Sequence, residues 1–116
     1  QKILLMEKKL LLIKMKINIK DKEIELKKTF RSYVIYESIT DKIFNPKTMS
    51  DIITYFYSVV LSSDRNLELT FDEFIDWLDE NEDALNDFEQ WLTKINEVDS
   101  QFQSKKKEKK TKEKKS

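Results

Sequence analysis

The stretch LTFDEFIDWLDENEDALNDFEQWL (residues 69–92) sets large aromatics among acids, and its reading decides the fold. Thr70 and Glu73 have the spacing of a capping box, in which each side chain accepts a backbone N–H that the first helical turn leaves unpaired. Leu69 and Phe74 stand at the positions of a hydrophobic staple across that start. A helix is expected from there, with Phe71, Phe74, Ile75 and Leu78 on one face and Trp77 beside it. "ENED" interrupts the pattern, and Asn81 is the expected N-cap of a further helix. In that helix Leu85, Phe88, Trp91, Leu92, Ile95, Val98 and Phe102 keep helical spacing.

The acids of this stretch suggest a calcium loop, but the positions do not support one. Asp79, Asn81 and Asp83 match the early ligands, whereas Ala84 stands where the sharp turn requires Gly. Gln90 stands where a bidentate Glu must close the shell, so this is not an EF-hand. Neighbouring acids such as Asp72–Glu73 and Glu82–Asp83 point about 100° apart on a helix and do not converge by themselves. They read as a solvated face.

Composition narrows the chemistry further. Among 116 residues there is no His, Cys or Gly. Disulfides, thiolate nucleophiles, the usual zinc sites and imidazole acid–base chemistry are therefore excluded. The reading is a non-enzyme without metal or cofactor. The net charge of zero conceals three zones: +5 over residues 1–20, −11 over 21–103 and +6 over 104–116. An acidic body repels phosphates, which argues against nucleic-acid binding by the folded part. The tail SKKKEKKTKEKKS (residues 104–116) has no apolar residue and reads as disordered. It also lacks the aromatics and Arg that stack on bases. Lys outnumbers Arg 20 to 2, as an AT-rich coding sequence would produce.

Upstream, Met15, Ile17 and Ile19 alternate with charged or polar residues, and Ile24 and Leu26 repeat the alternation after "KDKE". Residues 15–28 are expected to form a β-hairpin. Its turn has no Gly, so a slightly longer loop or a left-handed Asp21 is expected. Phe30, Tyr33, Val34 and Glu37 then line a short helix over 30–39, and Pro46 ends the segment that follows. Thr48 and Asp51 form a second capping box. The helix it starts near Met49 carries Ile52, Ile53, Phe56, Tyr57, Val60 and Leu61 on its apolar stripe. In QKILLMEKKLLLIK, Lys8–Lys9 splits the apolar runs, no small-residue cleavage site follows, and no segment is long enough to span a membrane. Residues 1–14 read as an upstream extension, with Met6 and Met15 both available as starts.

The fold class expected is α+β, mostly α: a short N-terminal hairpin packed on three to four helices. The domain covers residues 15–103 and a basic tail follows it. Its aromatics exceed what one thin apolar face conceals. Trp77 and Trp91 serve as core in the plain reading, yet tryptophan is also enriched at interface hot spots. Phe74, Trp77, Phe88 and Trp91 are therefore candidate partner-binding residues, in a groove or ridge that grips a hydrophobic helix.

The order of these segments resembles the small tail assembly chaperones of long-tailed bacteriophages, over about residues 15–95. The residues that carry the likeness are Phe30–Arg31, Tyr36–Glu37 with "TDKIF", Asp51, Tyr55, "TFDEFIDWLDE" and Trp91–Leu92. The chain departs from the family at Asp41, where members often carry Gly. The resemblance implies a non-enzymatic protein of the host cytoplasm that binds the tape measure protein and keeps it soluble while the tail tube assembles. It also implies a longer product of ribosomal frameshifting that recruits the tail tube protein, with the lysine-rich end as the slippery region. The rival expectation is a small regulatory adaptor whose basic tail contacts nucleic acid.

Overall fold

The computed structural model describes residues 13–97. They fall into two units: residues 15–88, and residues 13–14 with 89–97. The expected upstream extension, apart from Ile13–Lys14, and the expected tail lie outside the described residues, as do Val98 and Phe102. The fold class is α+β, mostly α, as the residue patterns predict.

The first unit opens with an antiparallel hairpin, β1 (Lys16–Ile19) and β2 (Lys22–Glu25), in which Ile17 faces Ile24 and Ile19 faces Lys22. Period two holds: Ile17, Ile19, Ile24 and Leu26 are buried on one face, while Lys16, Asn18 and Glu23 are exposed on the other. The turn is tighter than a longer loop would make it. Lys20 and Asp21 alone connect the strands, with φ of 50° and 60°. Two successive left-handed residues give the twist a two-residue hairpin needs, normally supplied by Asn-Gly. Lys20 is held in that conformation from outside, because its Nζ donates to the Glu68 carbonyl at 2.6 Å and pairs with Glu73 Oε2 at 2.8 Å.

Helix α1 (Phe30–Thr40) starts at Thr29, whose hydroxyl accepts from Ser32 N. It ends at Asp41, with φ 55° and its N–H donating to Glu37 O. The left-handed cap that commonly uses Gly is thus kept with Asp, one of the residues that tolerates it. Helix α2 (Met49–Ser63) carries the expected capping box of Thr48 and Asp51. The N–H groups of Lys47 and Thr48, donating to the Asp51 carboxylate, hold its pKa below the usual range. Helix α3 (Phe71–Glu80) carries the box of Thr70 and Glu73. Asn81 does not cap the next helix. It is the C-cap of α3, and its Nδ2 donates to Trp77 O at 2.8 Å. The next helix, α4, begins at Ala84; its first i→i+4 bond, Asp87 N to Asp83 O, makes Asp83 the N-cap. Residues 84–88 lie in this unit.

The core is built around α2, where Tyr55 to Val60 are buried in succession. A helix buried all round is a central one, which the apolar stripe read from sequence understates. Phe56 stacks on Phe88 with centroids 4.2 Å apart and meets Phe74 edge-on at 5.0 Å. Tyr55 packs against Phe44 and Tyr36 at 4.8 and 6.3 Å. The buried hydroxyls of Ser32 and Ser58 are satisfied by Thr29 O and Thr54 O. Tyr57 donates its hydroxyl to Leu69 O and so ties α2 to the segment leading into α3. In α1 the buried line is Ser32 and Tyr36, not the expected stripe. Phe30 and Val34 of that stripe are 87% and 61% exposed. The partners of Tyr36, Phe44 and Tyr55, come from outside the helix and set its rotation.

In the second unit residues 89–97 are helical. Trp91 and Ile95, one turn apart, are buried, and Thr93 returns its hydroxyl to Glu89 O.

Candidate functional site

Of the four aromatics singled out by sequence, the structure puts three inside. Phe74 and Phe88 are fully buried and Trp91 is 5% exposed. As packed here, these three offer a partner no surface. Trp77 differs. It is half-buried, with one face stacked near Phe74 at 5.8 Å. Its Nε1 donates to Asn18 O at 2.7 Å, so the indole bridges α3 to the outer side of β1.

Beside that bridge lies an open groove of about 590 Å³. One wall is Met15 to Asn18, and the other is the end of α3 with the turn into α4. The second wall carries Asp79, Glu80, Glu82, Asp83 and Asp87. Trp77 lines the groove between them. Local sequence explains the concentration of charge. The α3 repeat buries Phe74, so Asp79 and Glu80 fall on its solvent side, and α4 buries Ala84 and Phe88, so Asp83 and Asp87 fall outside. The carboxylates do not converge: among the described residues no three His, Cys, Asp or Glu are placed to hold a metal ion.

The hairpin tip is fixed to the start of α3 by the same residues that cap it. Glu73 accepts from Thr70 N at 2.9 Å and pairs with Lys20. The Lys20 ammonium first, and then the Thr70 N–H, hold the Glu73 carboxyl well below its ordinary value, at about 2. Burial pushes the Tyr57 phenol up, with the Glu73 charge adding to the shift.

A second surface feature lies on α1, where Phe30 and Val34 stand one turn apart and face solvent. Sequence reasoning placed both in the apolar stripe and so missed them as surface. It placed β1 but missed its outer edge as part of a site, because the edge of a strand is defined by pairing register rather than by residue type. No helix among the described residues is long and apolar enough to cross a membrane. Comparison with family models, with curated proteins and with solved structures finds no match in any of the three.

Proposed function

We propose that the protein is a tail assembly chaperone of a long-tailed bacteriophage or prophage. In this reading it works in the host cytoplasm and is not an enzyme. It covers amphipathic helices of the tape measure protein and keeps that protein soluble until tube subunits enclose it. The observation that carries the reading is the apolar pair on α1, with Phe30 87% and Val34 61% exposed. Neither is needed by the core, and burying such side chains against a partner is worth about 1.5–3 kcal/mol each before the costs of association. An amphipathic helix would meet them through its own apolar stripe. The body's net charge of −11 over residues 21–103 favours a basic partner and speeds encounter. The resemblance over residues 15–95 names the partner class. It also brings the expectation of a longer frameshift product that contacts the tail tube protein.

The test is a pull-down with the tagged chain from cells producing the phage, read by mass spectrometry. Capture of the tape measure protein, lost on Phe30→Ser/Val34→Ser with circular dichroism unchanged, supports the reading. If the tape measure protein is in the lysate but stays uncaptured, the reading fails.

A further inference from the structure

The hairpin register settles which backbone groups of β1 are already used. Ile19 faces Lys22 across the two-residue turn, and Leu26 N donates to Met15 O at 2.8 Å. Residues 15, 17 and 19 therefore exchange hydrogen bonds with β2, while Lys16 and Asn18 turn their N–H and C=O groups to the outer edge. That edge is a wall of the groove. Trp77 Nε1 occupies Asn18 O. The N–H and C=O of Lys16 and the N–H of Asn18 have no hydrogen bond within the described residues.

The facing wall supplies Glu80, Asp83 and Asp87, and among the described residues none of these forms an ion pair. Elsewhere the unit does pair its acids: Glu23, Asp64 and Glu73 each have a lysine. An unpaired strand edge is ordinarily blunted by charge, a bulge or a covering element, because it templates pairing with another chain. Here one carbonyl is capped by an indole and the rest of the edge opens onto unneutralised carboxylates. We infer that the groove binds an extended, lysine- or arginine-rich segment of another protein, which adds as a strand along β1 at Lys16 and Asn18 with its basic side chains against Glu80, Asp83 and Asp87. Main-chain pairing supplies the geometry and the acids select the side chains. This inference is independent of the chaperone reading, which rests on Phe30 and Val34.

The experiment is an amide NMR titration of the full chain with a synthetic peptide of alternating Lys and Val. Controls are an alternating Glu and Val peptide and the Lys–Val peptide with a central Pro. Binding should shift the Lys16 and Asn18 amides, weaken several-fold as salt rises, and fall about fivefold on Glu80→Gln/Asp83→Asn. The central Pro should abolish it by removing a donor from the added strand. Unmoved Lys16 and Asn18 amides, equal binding of the Glu peptide, or equal binding of the Pro peptide would each overturn the inference. Shifts in the Lys105–Lys115 amides on titration would also overturn it, by assigning the groove to the chain's own basic tail.

Discussion

Phe56 and Phe30 are the same residue type, each set by sequence on the apolar stripe of its helix, yet the structure assigns them opposite fates. Phe56 is fully buried, stacked on Phe88 at 4.2 Å and edge-on to Phe74 at 5.0 Å. Truncation to Ala removes the transfer energy of a large apolar side chain, about 1.5–3 kcal/mol, and leaves a cavity that rigid neighbours close only in part. The expected loss for Phe56→Ala is about 4 kcal/mol. Phe56→Leu keeps most of the volume and loses mainly the ring contacts with Phe74, Trp77 and Phe88, for about 1.5–2 kcal/mol. Phe30→Ala, at 87% exposure, should stay within about 0.5 kcal/mol of the parent. Urea unfolding of the three variants, followed by circular dichroism, reads the differences as shifts in midpoint at constant slope. The Leu variant keeps the comparison legible if the Ala variant no longer folds. A Phe56→Ala cost below about 1 kcal/mol, or a Phe30→Ala cost equal to it, would refute the burial assignment and with it the role given to the α1 face.

Glu73 gives a pH signature. Its pKa is depressed to about 2 in the fold, against an ordinary 4.5, so the unfolded chain binds the extra proton and stability rises with pH between those values. The stability difference between the parent and Glu73→Gln should be constant above the unfolded value and shrink as pH falls from 4.5 toward 2; a difference independent of pH there would exclude the Lys20 and Thr70 contacts as its cause. In the hairpin turn, Asp21→Gly should stabilise by about 0.5 kcal/mol, since Asp21 sits at φ 60°. Lys20→Gly should give no such gain, because it deletes the Nζ links to Glu68 O and Glu73, and thermal melts of the two variants separate the effects. Tyr57→Phe removes the buried hydroxyl that satisfies Leu69 O and should cost about 1–2 kcal/mol by urea unfolding.

What sequence revealed was decided by near neighbours. The boxes of Thr48 with Asp51 and Thr70 with Glu73 are three-residue arrangements, and both formed as spacing required. The hairpin was legible because period two fixes a face once a strand exists, and Ile17, Ile19, Ile24 and Leu26 share one. Asn81 was misread because an Asn between two helices can close one or open the other; a bond from its amide to Trp77 O decides for closure. The rotation of α1 was not legible at all. Tyr33 packs on Phe44 at 4.5 Å and Tyr36 on Phe44 at 5.2 Å, so a residue eight to eleven positions downstream sets which face turns inward. The groove was half legible. Its acids are plain in "DENED", but the edge that gives them a counterpart depends on the pairing register from Met15 to Leu26 and a tryptophan bond spanning 59 positions.

That tryptophan bond gives Trp77 a structural role. Sequence alone leaves the residue as either core or contact, whereas a half-buried indole with its N–H spent on β1 is a brace. The Lys20 pair with Glu73 braces the turn that follows the same strand. Two attachments to α3, from Asn18 to Trp77 and from Lys20 to Glu73, hold β1 alongside that helix from its first turn to Trp77. A strand so held cannot turn its edge away from the acids at the end of α3. Rigid placement of both walls lowers the ordering cost that a flexible hairpin would pay on binding an extended segment. The strain of two left-handed residues in a glycine-free turn is thereby placed at the tip, where Lys20 is anchored, and the groove is left with relaxed backbone on both sides.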